Sequence, residues 1–288
     1  MMWHVVALDV AREAEETTRA ALFELGTTGI LTLEESAARV KLGAYFDQSA
    51  DTEMITRAVE AELQRAGFHG ALFAASVSAI PEQDWMQKWK EGFEPVEIGS
   101  RLVIAPSWKL PLEPQGRAVI QIDPGQAFGT GTHETTRMCL ELIEKRWRGG
   151  SLLDVGTGTG ILAIAAARLA PGSIVTAIDI DPQAVTVARE NIEINHATGS
   201  IEILEGQPGD YVGRAFDIVV ANLTAEVIIS LASDLVGCLA LSGAMILSGI
   251  LTTLREDVEQ ALASHGIVII ERREAGEWIA LVAERGNS

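Results

Sequence analysis

Residues 151–161 read "SLLDVGTGTGI", and residues 177–182 read "AIDIDP". A short apolar run enters a chain of alternating glycines, the way a parallel strand turns into a helix around a bound ligand. Downstream, "ILAIAAARLA", "SIVTAIDI", "PQAVTVARENIEINH", "IEILEG", "FDIVVAN" and "GAMILSG" continue the alternation of helix and strand. Upstream, "AVIQID" reads as a strand and 133–146 as a helix of the same series. Strands that are apolar on both faces and separated by helices predict an α/β fold with a parallel sheet covered on both sides. The rhythm breaks at "GIVIIERREAGEWIALVAER", two strands about an "EAGE" turn, so the sheet is expected to finish in an antiparallel hairpin.

Residues 3–80 follow a different order: strand, helix, strand, strand, helix, strand. That is the split β-α-β arrangement of a small ferredoxin-like α+β domain. Gly26 is placed to close its first helix and Asp51 to cap its second. "PEQDWMQKWKEGFEP" follows, bounded by Pro81 and Pro95, with Trp85, Trp89 and Phe93 on one helical face. We read it as a linker helix whose aromatic stripe packs as core rather than stacking on a ligand, and Trp108 likewise. The division expected is therefore 1–80, a linker with connecting strands over 81–116, and 117–288.

The glycine spacing bears on the ligand. A dinucleotide turn reads G-x-G-x-x-G, its third glycine admitting close helix packing. Here Gly156, Gly158 and Gly160 are spaced G-x-G-x-G, Ile161 stands where that third glycine belongs, and Asp154 precedes the turn. This pattern suits S-adenosylmethionine, which has no pyrophosphate and whose amino acid portion needs close backbone approach and a nearby carboxylate. Asp179 ends the next strand, where an acid accepts hydrogen bonds from ribose hydroxyls. Glycines can also serve tight turns alone, but the two acids at matching spacing favour the ligand.

A second glycine-rich loop, "DPGQAFGTGTHETT", lacks the Lys-Ser/Thr of a phosphate-binding loop. Thr132 can cap the following helix, leaving Thr135 and Thr136 in a first turn able to meet a carboxylate, or the segment is simply a helix start. Asn222 closes "FDIVVAN" at a carboxyl strand end, where open α/β sheets bind ligands. Leu223, Thr224 and Ala225 follow it, with no aromatic platform for a planar amine, so an aliphatic amine is the expected acceptor.

Composition narrows the setting. The chain has 288 residues, a net charge of -18, two cysteines that form no C-x-x-C pair, and five scattered histidines. Neither a disulfide framework nor a metal site is indicated. The N-terminus shows no basic leader before an apolar run, and no segment is apolar for the length of a membrane span, so a soluble cytoplasmic protein is expected. The negative charge disfavours direct binding of nucleic acid and fits a basic partner, or serves solubility alone.

Taken together, "DPGQAFGTGTHETT", "LLDVGTGTGILAIAAARL", "AIDIDPQAV", "VVANLTAEVI", "LSGIL" and "GEWIAL" resemble the PrmA family, the methyltransferases of large-subunit ribosomal protein L-eleven. "DWMQKWKEGFEPVEIGSRLVIAPSW" extends the resemblance, which covers essentially the whole chain. It implies a class I, Rossmann-like methyltransferase domain behind a substrate-recognition domain. The implied reaction moves methyl groups from S-adenosylmethionine to the N-terminal amine and lysine side chains of that ribosomal protein, met free of the ribosome by a monomer. The alternatives are a related enzyme acting on another protein's lysines or a small amine, and an idle module that senses the cofactor. Implied cofactor contacts are Thr136, Gly156, Gly158, Gly160, Asp179, Ile180 and Asn222. Asn222 and Thr224 are also candidates to orient the amine, Thr224 standing in "NLTA" where the family commonly reads N-I-L-A; no general base is identified.

Overall fold

The computed structural model describes residues 2–46, 51–81, 94–111, 116–123 and 133–286. The linker helix with Trp85, Trp89 and Phe93 lies outside the described residues, as does the proposed Thr132 cap. The chain divides into two compact units, Met1–Glu94 and Pro95–Ser288.

In the first unit, strands β1 (Met2–Ala11), β2 (Gly29–Glu35), β3 (Arg39–Phe46) and β4 (Leu72–Pro81) form a sheet in the order β2-β3-β1-β4, every neighbouring pair antiparallel. With helices Glu15–Glu24 and Thr52–Arg65 between them, this is the expected ferredoxin-like arrangement. The Asp51 side chain accepts from the Glu53 and Met54 backbone N–H groups at 3.0 and 3.1 Å, starting the second helix. Ile55, Val59 and Leu63, four residues apart, put one face of that helix into the core with Leu8, Val10, Leu22 and Leu42. Each such side chain contributes about 1.5–3 kcal/mol by leaving water, so truncating Leu63 to alanine would be felt throughout the unit.

The second unit is built on seven strands: β8 (Ser151–Val155), β9 (Ile174–Asp179), β10 (Ile201–Glu205), β11 (Phe216–Asn222), β12 (Leu239–Leu251), β13 (Ile267–Ala275) and β14 (Trp278–Arg285). Their order is β10-β9-β8-β11-β12-β14-β13. The pairs from β10 to β12 are parallel, and β14 is antiparallel to both neighbours. The terminal hairpin is present as expected, and its second strand sits between β12 and β13. Side chains alternate between two apolar layers: Leu152, Val220 and Ile246 enter one, and Leu153, Val219 and Met245 the other. Such alternation of apolar groups to both faces is what a doubly covered sheet requires.

Strand β7 (Ala118–Gln121), read from the sequence as part of the large sheet, pairs instead with β6 (Leu102–Ala105), which pairs with β5 (Val96–Ile98). These three strands, two of them assigned above to the linker, send Ile98, Leu102, Ile104 and Ile120 into the apolar layer that holds Leu152. Shared burial draws them to the second unit. The Gln121 N–H then donates to Asn195 Oδ1 and the Asn195 Nδ2 donates to the Gln121 carbonyl, both at 2.8 Å.

Candidate active site

Strand β8 ends at Val155, and the chain turns through Gly156 (φ 68°), Gly158 (φ 56°) and Gly160 (φ 80°) before the helix Ile161–Leu169. The Gly156 and Thr157 N–H groups donate to the Ile178 carbonyl at 2.9 and 3.0 Å, tying the turn to the end of β9. Gly158 N–H donates to Asp179 Oδ2 at 2.9 Å, and Asp181 N–H to Asp179 Oδ1 at 3.0 Å. Each carboxylate oxygen accepts more than one bond, so both retain capacity for hydroxyl donors. A side chain at Gly156 would meet Leu223 Cδ2 at 2.5 Å, and one at Gly160 would meet Ala188 Cβ at 3.3 Å. Gly160 thus permits helix packing here, the task that falls to the third glycine in a dinucleotide turn.

Asp154 is turned inward and fully buried. Its Oδ2 accepts from Thr157 Oγ1 at 2.6 Å and from Ala163 N–H at 3.1 Å, bracing the turn against the helix start. Its Oδ1 is buried with no hydrogen-bond partner among the described residues. Burial pushes this carboxyl up to about 7; the Thr157 and Ala163 bonds oppose the shift and the nearby Asp179 charge adds to it.

Across the sheet, β11 delivers Asn222, whose Nδ2 donates to Thr136 Oγ1 at 3.2 Å. The helix Glu134–Arg146 brings Thr136 there, and His133 is its capping residue: Thr135 N–H donates to His133 Nδ1 at 3.3 Å. Thr135 Oγ1 lies 2.8 Å from the same nitrogen. Both threonine side chains are buried, Thr135 Oγ1 beside the His133 ring and Thr136 Oγ1 accepting from Asn222 Nδ2. The His133 ring meets Trp278, at the start of β14, edge to face at 5.2 Å. Asn222 Oδ1 is buried and has no partner among the described residues. Thr224 occupies the N-cap position of the helix Ala225–Cys238, exposed and without a side-chain capping bond.

The two halves meet where Leu223 lies over Gly156. Gly156, Gly158, Gly160 and Asp179 gather on one side, Thr136, Asn222 and Thr224 on the other. Ile180 stands at the strand end beside Asp179, 76% exposed. The sequence reading did not identify His133, Thr157, Asn191 or Asn195. Asn191 Nδ2 donates to the Thr159 carbonyl at 2.9 Å, fixing the turn from the neighbouring helix. Two asparagines four residues apart on the buried side of "ARENIEIN" were the available signal.

The donor set fits a cofactor carrying positive charge and ribose. One buried acceptor oxygen beside the turn, Asp154 Oδ1, lacks a donor among the described residues, and Asp179 stands at the strand end. Among the described residues there is no group of three or more His, Cys, Asp or Glu arranged to hold a metal ion, and no helix is long and apolar enough to cross a membrane.

Residues 2–286 match the family described as ribosomal protein L11 methyltransferase (PrmA). The chain belongs to that family. A ribosomal protein L11 methyltransferase of Pelobacter propionicus is 37% identical over 98% of this chain and 97% of its own length. One from Pelotomaculum thermopropionicum is 45% identical over 74% of this chain and 70% of its own. Among solved structures, the ribosomal protein L11 methylase of Lactobacillus delbrueckii subsp. bulgaricus superposes with a TM-score of 0.63 at 34% identity, covering 68% of this chain and all of that one.

Proposed function

We propose that this chain is an S-adenosylmethionine-dependent methyltransferase that acts on the N-terminal amine and lysine side chains of ribosomal protein L11. The observation that carries the reading is Asn222: a half-buried amide at the carboxyl end of a central strand, its nitrogen donating to Thr136 and its oxygen buried without a partner among the described residues. When bound, the cofactor supplies an electrophilic methyl group on a sulfonium. The glycine turn and Asp179 hold it, with Thr136 and Asn222 flanking the opposite side.

The acceptor must arrive as a free amine, although lysine has an unperturbed pKa of about 10.4 and a terminal amine about 7.7–8.0. A positively charged neighbour and a partly dry site both lower an ammonium pKa, so the proton passes to water and no residue is assigned as base. Asn222 Oδ1 then accepts an N–H of the neutral amine and points its lone pair, while the exposed Thr224 hydroxyl stands beside the approach. Positioning of this kind supplies most of the rate in an in-line displacement.

The first unit carries no cofactor motif, and we assign it the recognition of the protein substrate. The substrate is taken free of the ribosome by a monomeric, cytoplasmic enzyme. A basic partner suits a chain of net charge -18. The reading is tested by incubating the protein with methyl-labelled cofactor and an unmethylated ribosomal protein extract. Label confined to L11, on amines, is the expected result; label on a different protein would replace the substrate, and no label on any protein would remove the activity.

A further inference from the structure

The β8–β11 ladder ends at the pair Val155 and Ala221. Beyond it the two chains part: the Gly156 N–H turns to the Ile178 carbonyl of β9, and the Leu223 N–H to the Ser248 carbonyl of β12, each at 2.9 Å. Strand ends that diverge in this way open the crevice in which parallel sheets take their ligands. The Leu223 side chain reaches across it. A Cβ on Gly156 would meet Leu223 Cδ2 at 2.5 Å and Cγ at 3.3 Å, so the isobutyl group rests on the bare Cα of the turn. Behind the same residue lies Gly249, with φ 83°, whose added Cβ would meet the Leu223 carbonyl carbon at 2.9 Å and nitrogen at 3.0 Å. Gly249 belongs to a bulge, since the register of β12 against β14 shifts between Leu247 and Ile250, and the bulge lets β12 close up behind the Leu223 backbone. Leu223 itself is only half-buried. Its neighbours in sequence are the two side chains assigned to the amine: Asn222 turns toward Thr136 on one side of the sheet, while Leu223 packs on the layer of Val155 and Ala221 on the other.

We propose that Leu223 is a positioning residue for the methyl transfer, a spacer whose side chain sets the separation between the glycine turn and the Asn222 and Thr224 side chains. This rests on the cofactor and acceptor assigned above. Transfer needs the amine nitrogen and the methyl carbon about 3–3.5 Å apart and in line, and a misplacement of about 1 Å costs on the order of a hundredfold in rate. The turn holds one reactant and the end of β11 aims the other, yet past Ala221 each is hydrogen-bonded to a different neighbouring strand. Contact through Leu223 supplies the fixed distance between them. Gly156 gives the side chain its seat, and Gly249 backs the loop closely enough to keep it there. Shortening Leu223 leaves the cradle in place, because Ile178, Asp179 and Asn191 hold the turn from its other sides, and lets Asn222 drift from the methyl group.

The test is single-turnover methyl transfer from S-adenosylmethionine to L11 at saturating cofactor, with cofactor affinity measured beside it by calorimetry on the full chain. Leu223→Ala is expected to slow transfer about tenfold while affinity stays within about threefold of wild type. Leu223→Met, which conserves volume and reach, should bring the rate back to within about threefold of wild type. Added to Gly156→Ala, Leu223→Ala should recover about tenfold in affinity, since it removes the atoms that the new Cβ meets, with transfer still as slow as in Leu223→Ala alone. Wild-type transfer by Leu223→Ala overturns the proposal and leaves the methyltransferase reading intact. So does a rate loss that Leu223→Met does not repair, or one matched by an equal loss of affinity. Absence of transfer by the wild type overturns both. Should the alanine variant not fold, Leu223→Val, one carbon shorter than leucine, decides with an expected loss of about threefold in rate at unchanged affinity.

Discussion

The two halves of the site are built differently. Around the glycine turn, backbone N–H groups are already spoken for: Gly156 and Thr157 by Ile178, Gly158 by Asp179. Asp154 and Asn191 brace the loop from two sides. At the end of β11 a side-chain bond joins Asn222 to Thr136, and among the described residues Asn222 Oδ1 has no partner and Thr224 makes no capping bond. The first half is a preformed cradle whose geometry the fold imposes. The second leaves polar groups for something that arrives. A holding half should respond to mutation mainly in cofactor affinity, and an aiming half mainly in rate.

The largest effect expected is from Gly156→Ala. The residue has φ 68°, and an added Cβ would meet Leu223 at 2.5 Å. Left-handed strain of about 1–2 kcal/mol and a further 1–3 kcal/mol of overpacking should weaken cofactor binding about a hundredfold, read by calorimetry. Because Leu223 follows Asn222, this is also the variant in which the two halves should fail together. A rate loss with unchanged affinity would break the comparison.

Asp179→Ala comes next. Removal of its carboxylate takes a charged acceptor from the ribose and a partner from Gly158 N–H, for an expected loss of about 1–3 kcal/mol in cofactor affinity. The rate with saturating cofactor should change little. Unchanged affinity would remove Asp179 from the site.

Much of this was legible beforehand. The alternation from Ser151 onward specified the parallel sheet, because strands buried on both faces have no other way to read, and the six-element order before Pro81 specified the ferredoxin-like sheet. Insertion of β14 between β12 and β13 was not legible: a hairpin signal says which strands are consecutive, not which neighbour the pair accepts. The separate sheet of β5, β6 and β7 was missed for a related reason, since β7 is a four-residue strand whose partner lies upstream of the loop that hides the pairing. In the site, residue types conveyed Asp179 and Asn222. Asp154 was visible as an acid near the turn, but only the packing shows that it faces inward. The His133 cap was hidden because a histidine cap lacks the signature of Ser, Thr, Asp or Asn.

The smallest of the single-site effects is expected from His133→Ala. Loss of the cap on Thr135 N–H and of the ring contact with Trp278 should cost about 1 kcal/mol of stability, read as a lowered denaturant midpoint. A turnover loss of severalfold should accompany it through Thr136, with cofactor affinity nearly unchanged. An equal loss in affinity would place Thr136 in the holding half.

Asn222→Ala tests the division most directly, with cofactor affinity measured by calorimetry and methyl transfer to L11 in a single turnover at saturating cofactor. The account predicts a rate lower by on the order of thirtyfold, from one lost hydrogen bond to the amine, and an affinity within about threefold of wild type. An affinity weakened as much as the rate, with turnover restored at high cofactor, would contradict it and make Asn222 a holder of the cofactor.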